Sequence, residues 1–210
     1  MTKRLEDFIK EHAASTLDKV AVIYKDSPIT YAQLWAQVSD KCEHLKKEGV
    51  GKGQLYALKA SPDPDFIVTY LAIHYAGAAA VPLEKDMSDD HFQAFTTRLS
   101  DANTEAPADN PSEAIADVLF TAGSTGAQKG VMISHRALLA DADNLVQAQG
   151  FTEETVFVIC GPLNHFGSLS KLWPTFIKGG TIILLDGMKD QSALFPAFDH
   201  PGHKFAPFLV

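Results

Sequence analysis

The spacing of apolar positions divides the chain into short strands alternating with amphipathic helices. Leu5, Phe8, Ile9 and His12 recur at helical intervals and predict a short helix over residues 4–14. Residues 21–24 form an apolar run of strand length. Thr30-Tyr31-Ala32-Gln33 has the form of a capping box, in which the Thr30 hydroxyl accepts from the Gln33 N–H while Gln33 reaches back. The helix it opens carries Tyr31, Leu34, Val38, Cys42 and Leu45 along one face and stops near Gly49. Residues 55–58 predict a second strand, residues 65–75 an apolar helix closed by Gly77, and Val81-Pro82-Leu83 the end of a strand. Asp63 and Asp65, either side of Pro64, suit the start of that apolar helix. Farther on, Ser134 is the N-cap expected for a helix over 135–147, with Asp141 and Asp143 on its solvated face. Residues 155–160 predict a buried strand, 167–177 a helix and 181–185 another strand. This alternation is the pattern of an α/β layer, a mostly parallel sheet with flanking helices. Pro107, Asn110 and Pro111 mark residues 104–112 as a loop, dividing an N-terminal α/β unit, 1–103, from a second, 113–210, incomplete at its C-terminus.

The segment from Leu119 to His135 carries the chemistry. Thr121, Ala122, Gly123, Ser124, Thr125, Gly126 and Lys129 make a hydroxyl- and glycine-rich loop ending in a lysine, directly after an apolar strand. Glycines let backbone N–H groups turn toward an anion, hydroxyls donate to phosphoryl oxygens, and lysine brings a mobile positive charge. A Walker loop needs Gly before its Lys and Ser or Thr after it, whereas Gln128 precedes Lys129 and Gly130 follows. No G-x-G-x-x-G dinucleotide fingerprint is present either.

Charge narrows the partners. The net charge of −8 argues against nucleic acid or an anionic membrane surface, so a bound anion must meet a local positive site. The N-terminus lacks an apolar signal core and no stretch approaches membrane-spanning length, which makes the cytoplasm the default location. Cys42 and Cys160 offer neither a disulfide framework nor metal-ligand spacing, and both are expected to be buried and structural. His200 and His203 flank Pro201-Gly202 without a third ligand nearby, so a loop is expected there and no metal site is assigned. His135 is expected in the first turn of its helix, packed beside the phosphate loop.

The loop closely resembles the T-[SA]-G-[ST]-T-G-x-P-K-G-V signature of the adenylate-forming superfamily, which comprises acyl-CoA synthetases, peptide-synthetase adenylation domains and luciferases. Ile29-Thr30-Tyr31-Ala32-Gln33-Leu34 resembles its LTYxEL opening, and residues 71–83 resemble its LAxLxAGGxxVPL element. Pro162-Leu163-Asn164-His165-Phe166-Gly167 resembles PLFHxxG, with one residue rather than two between His165 and Gly167. The resemblance implies the N-terminal region of that enzyme fold. It implies that residues 121–129 wrap the β- and γ-phosphates of ATP, that Lys129 favours departure of pyrophosphate, and that His165 and Gly167 line the acyl pocket. Gln128 stands where the family prefers Pro, and residues 85–120 are a trimmed version of the segment between the two motifs.

The implied reaction joins a carboxylic acid to ATP as an acyl-adenylate and passes the acyl group to CoA, with Mg2+ bridging phosphates. The family's Tyr-Gly-x-Thr-Glu segment, its ribose-binding Asp and the domain bearing its catalytic Lys have no counterpart here. The chain is therefore expected to be an N-terminal part of a larger enzyme, inactive alone, with the apolar strand 205–210 open to self-association. Two other readings remain: a non-catalytic nucleotide-binding or scaffold domain, and a fragment of a peptide-synthetase adenylation domain.

Overall fold

The computed structural model describes residues 4–100, 114–121, 129–187, 191–201 and 203–204. The predicted loop over 104–112 and the apolar end 205–210 lie outside them. The elements are α1 (Leu5–Ser15), β1 (Val20–Tyr24), β2 (Ser27–Thr30), α2 (Tyr31–Lys47), β3 (Leu55–Lys59), α3 (Pro64–Ala76), β4 (Ala79–Leu83) and α4 (Asp89–Ser100). They continue with β5 (Ile115–Thr121), β6 (Lys129–Ser134), α5 (His135–Gln149), β7 (Val156–Ile159), α6 (Phe166–Leu169), α7 (Leu172–Lys178), β8 (Thr181–Leu184), α8 (Gln191–Phe198) and β9 (His203–Lys204).

The strands form two sheets, ordered β2-β1-β8-β7-β9 and β3-β4-β5-β6. All neighbours are parallel except two hairpin pairs, β1 with β2 and β5 with β6. The mostly parallel α/β architecture expected from the alternating pattern is therefore present.

Local chemistry explains the elements. At α2, the Thr30 hydroxyl accepts from Gln33 N at 3.2 Å and the Gln33 side chain accepts from Thr30 N at 2.9 Å, completing the capping box. Its buried face is Tyr31, Leu34, Val38, Cys42 and Leu45. Asp63 caps α3, accepting from Phe66 N at 3.0 Å, with Pro64 in the first turn and Gly77 left-handed at φ 90° behind the helix. Apolar on every side, α3 is buried from Phe66 to His74, packed against α2 and on β3 and β4.

Several elements depart from the pattern-based expectations. β2 was not expected; it arises because Lys25 and Asp26 adopt φ of 47° and 61°, a two-residue turn whose twist matches a hairpin. The single helix expected over 167–177 is two, α6 and α7. Pro174 in the first turn of α7 has no N–H to give to the carbonyl four residues back, which belongs to Ser170 in the break. α4, β6, α8 and the short β9 were likewise not anticipated. Cys42 is buried as expected, but Cys160 is only partly so. Asp143 is exposed, whereas Asp141 is half-buried, with its carboxyl raised by burial against the opposing charge of Lys171.

The main core collects Tyr31, Tyr70, Trp173 and Phe176, all fully buried. Tyr31 also donates its hydroxyl to Gly180 O at 2.6 Å, tying the first turn of α2 to the residue before β8. Gly180 is tightly enclosed, since a Cβ there would lie 2.6 Å from Thr155 O. Tyr31→Phe leaves that buried carbonyl without its side-chain donor and is expected to destabilise the fold by about 1–3 kcal/mol. The measurement is urea denaturation, with a lower midpoint at unchanged slope.

Candidate functional site

In a parallel sheet every strand presents its carboxyl end to the same edge, and ligands of open α/β sheets bind beyond that edge. Here the residues immediately after four strands, Ala60 after β3, Glu84 after β4, Cys160 after β7 and Leu185 after β8, line one cavity of about 380 Å³. A second cavity, of about 430 Å³, is lined by Pro82 and Leu83 of β4, by Leu119, Phe120 and Thr121 of β5, and by residues 164–167. Glu84, Asn164 and His165 line both. The two sheets thus open their carboxyl edges onto a shared wall.

His165 reaches that wall because its loop is anchored on both sides. Leu163, Ser168 and Leu169 are buried, whereas His165, Phe166 and Gly167 are exposed. His165 is the N-cap of α6, and its carbonyl accepts from Ser168 N and Leu169 N at 3.2 and 3.0 Å. The imidazole contributes no capping bond and is exposed.

Thr121 and Lys129 end and begin an antiparallel pair. They stand opposite each other in register, with the Thr121 hydroxyl donating to Lys129 O at 3.4 Å. Residues 122–128 therefore form the connection of the β5–β6 hairpin; Ala122, Gly123, Ser124, Thr125 and Gly126 lie outside the described residues. Both Thr121 and Lys129 are exposed, with donor chemistry, hydroxyl and ammonium, suited to phosphoryl oxygens. Next to Lys129, a Cβ on Gly130 would come 2.9 Å from Val118 Cγ1 and 3.3 Å from Phe120 Cζ, so the hairpin needs glycine there. Of the expected site residues, Thr121, His165 and Gly167 come together on one cavity. Lys129 is placed by its pairing with Thr121 rather than by lining that cavity.

Behind the hairpin lies a buried charged group that the sequence did not disclose. His74 on α3 contacts Asp117 Oδ1 at 3.0 Å through Nε2 and Glu6 Oε1 at 3.3 Å through Nδ1. The first is a hydrogen bond; the geometry of the second falls short of one, and the Glu6 oxygens are held by charge. Tyr70 donates to Asp117 Oδ2 at 2.9 Å, and Arg4 lies 2.9 Å from His135 Nε2 and 3.7 Å from Glu6. His135 opens α5 as expected and is buried, with its ring 5.0 Å from that of His74; the loop it was expected to pack beside lies outside the described residues.

Mutual placement sets the protonation states. Burial alone would lower the His74 pKa, but Asp117 and Glu6 outweigh it and raise it to about 9. Burial would raise Glu6, but His74, His135 and Arg4 hold it down to about 2. His135, desolvated and next to the His74 charge, is lowered to about 3 and stays neutral. Burial and the Asp117 charge push Tyr70 well above its ordinary value. Glu6, His74 and His135 offer donor atoms within 4.8 Å of one another. Arg4 and protonated His74 already balance the two carboxylates there, so the group is complete as an ion-pair network.

Comparisons with known proteins agree on the fold. The sequence profile of the family described as AMP-binding enzyme matches residues 9–100 and 92–200. The chain is 27% identical to tyrocidine synthase 3 of Brevibacillus parabrevis over 218 residues, covering 89% of this chain and 3% of that protein. It is also 27% identical to 2-succinylbenzoate–CoA ligase of Bacillus cereus over 213 residues, covering 88% of this chain and 44% of the ligase. The chain thus spans under half the length of these relatives. Among solved structures, apo MatB from Rhodopseudomonas palustris superposes with a TM-score of 0.78 at 22% identity, covering 95% of this chain and 48% of MatB. O-succinylbenzoate CoA synthetase of Bacillus subtilis, in complex with ATP and magnesium, superposes at 0.77 and 22% identity, over 92% of this chain and 47% of that one.

The network predicts how stability responds to pH. His74 is raised from 6.5 to about 9, so its contribution is full below pH 6.5 and is lost as pH rises through 9. His135 is lowered from 6.5 to about 3, so its contribution is full above pH 6.5 and is lost as pH falls through 3. Glu6, lowered from 4.5 to about 2, adds to the acid-side loss below pH 4.5. Thermal denaturation across pH is expected to give maximum stability near 6.5, with decline on both sides; a plateau from pH 5 to 9 would contradict the assignment.

Proposed function

The chain belongs to the AMP-binding enzyme family, and on that premise we propose that it is the part of an acid–thiol ligase that grips the phosphates of ATP and receives the carboxylate. The observation that carries this reading is the meeting of Thr121, at the root of the 122–128 connection, with His165 and Gly167 on one cavity at the carboxyl edge of the strands. A phosphate-holding segment and an acyl-side histidine must share one space if a carboxylate is to reach the α-phosphorus.

In the proposed reaction a carboxylate oxygen attacks the α-phosphorus of ATP, giving acyl-adenylate and pyrophosphate, and a thiol, CoA in the preferred reading, then displaces AMP. Residues 121–126 offer backbone N–H groups, and the Ser124 and Thr125 hydroxyls donate to the β- and γ-phosphates. Lys129 balances charge that accumulates on departing pyrophosphate, an electrostatic role that needs no proton transfer. His165 and Gly167 shape the side where the carboxylate lies. Mg2+ would supply charge neutralisation at the phosphates.

A second reading, part of a peptide-synthetase adenylation domain, is favoured by the similarity to tyrocidine synthase 3. Both readings share the adenylation step. Formation of a CoA thioester by the complete protein separates them.

Charge-assisted hydrogen bonds contribute about 1.5–3 kcal/mol, so Lys129→Ala is expected to weaken ATP binding roughly ten- to a hundredfold without loss of fold. Calorimetric titration with ATP and Mg2+ checks it, and unchanged affinity would remove the loop from the mechanism. The 210-residue chain alone is proposed to release no pyrophosphate in response to carboxylic acids.

His165→Ala is expected to act on the other substrate. In the complete enzyme it should raise KM for the carboxylate or lower kcat while ATP affinity is kept. Equal loss on both substrates would point instead to a folding defect.

A further inference from the structure

Both carboxylate oxygens of Glu6, Nδ1 of His74 and Nε of Arg4 lie together in the buried network without a hydrogen-bond partner. Buried polar atoms are nearly always satisfied, and orphans gathered in one place point to a ligand that they can share. His135 adds a further donor. A guanidinium has no lone pair, so the 2.9 Å contact of Arg4 with His135 Nε2 makes that nitrogen the acceptor, its lone pair turned into the cluster. At His74 the opposite edge of the ring is fixed: Nε2 is 3.0 Å both from Asp117 Oδ1 and from the Ala116 carbonyl, at a bulge between Ile115 and Asp117. Both neighbours are acceptors, so Nε2 carries the proton and Nδ1 faces Glu6. A carboxylate behind an imidazole is the common outer support of a metal-binding histidine, and Tyr70 steadies this one by donating to Asp117 Oδ2 at 2.9 Å. Glu6, His74 and His135 offer ligand atoms within 4.8 Å of one another. The Glu6–His74 pair, at 3.3 Å, matches the edge of a tetrahedron with metal bonds of about 2.0–2.1 Å.

We propose that Glu6, His74 and His135 form a site for a divalent cation of the zinc type, guarded by Arg4, that ties the start of α1 to the end of α3 and the start of α5. Two imidazoles and one carboxylate suit Zn2+, whereas Mg2+ and Ca2+ prefer oxygen ligands, so this ion is distinct from the Mg2+ of the nucleotide reading. Charge balances in either state. With Arg4 inside, its guanidinium and the proton on His74 Nδ1 offset Glu6 and Asp117. A divalent ion takes over both positive charges when Arg4 turns outward and that proton passes to solvent. His135 is neutral in both states, the form in which imidazole binds metal. Arg4 is the member able to leave, because it precedes α1 as its N-cap and its side chain is 24% exposed. Leaving releases its bonds to the His74 carbonyl and to His135 Nε2, so Arg4 competes with the ion for the same place.

The test titrates the 210-residue chain, stripped with EDTA, with Zn2+ and with Co2+ as a spectroscopic probe. Binding of one equivalent is expected, with the visible bands of four-coordinate Co2+ and a thermal midpoint that zinc raises and EDTA restores, since an ion bound only by the folded chain stabilises it. Nitrogen NMR of the imidazoles should place the zinc on His74 Nδ1 and His135 Nε2, with the other histidines unmoved. His135→Gln removes a ligand and should weaken zinc by at least about a hundredfold, the upper figure for losing an outer-shell partner. Arg4→Gln removes the competitor and should tighten zinc about ten- to a hundredfold, the worth of charge-assisted hydrogen bonds. An ion-pair network with no metal role would lose stability in Arg4→Gln and gain no zinc affinity. If His135→Gln does not fold, the Arg4→Gln titration and the wild-type nitrogen spectra decide. Zinc seated on other histidines, no binding with zinc in large excess, or an affinity indifferent to Arg4→Gln would overturn the site.

Discussion

Two carboxylates in one protein core oblige the chain to bring positive charge to the same place. Glu6 and Asp117 are both buried, and each would be untenable as an anion without His74 between them and Arg4 at the margin. Meeting this demand fixes the arrangement of α1, α3, β5 and the start of α5 together. The bulge at Ala116 sits where those side chains meet, with the Ala116 carbonyl 3.0 Å from His74 Nε2. Apolar packing by Tyr70 and Trp173 around the network supplies the low-polarity surroundings that make its charges interact strongly.

The site itself is a consequence of strand direction. Because β3, β4, β5, β7 and β8 run in parallel sets, the residues that follow them gather at carboxyl edges without any need for proximity in sequence. Glu84 and Asn164 come from opposite sides of the hairpin in the chain, yet they share both cavities with His165. The buried Leu163 and Leu169 hold this stretch like two pins, so that the polar residues between them face outward. The candidate surface is thus made of loops, held by the strands and buried leucines behind them.

What the sequence disclosed was local. The Thr30 capping box, the Asp63 start of α3, the left-handed Gly77 and the Ser134 cap of α5 were all legible, because each is settled by residues within a few positions of one another. The loop around Lys129 was legible for a different reason, as a dense run of glycine, hydroxyl and lysine, although its hairpin setting was not. The rest depended on distant partners. Glu6 follows Leu5 and looks like a solvent-facing acid until His74, far along the chain, is folded against it. The contact of His135 with His74 and Arg4 likewise joins residues far apart in the chain. β2 was hidden by a turn whose positive φ values fall on Lys25 and Asp26 rather than on glycine. Glu84 had no sequence signal at all, since its importance lies in the wall it shares.

The charged network also constrains how such a sequence can change over time. Its members come from four separate segments, and removing one partner of a buried ion pair typically costs about 3–5 kcal/mol. A domain's whole margin is about 5–15 kcal/mol, so a chain that loses Glu6, His74 or Asp117 singly forfeits much of its stability. Replacing them together with apolar residues carries no such penalty. The network is therefore inherited or discarded as a unit. A lineage that carries it must cross a valley of poorly folding intermediates to be rid of it, and that epistasis preserves the arrangement even where nothing else selects for it.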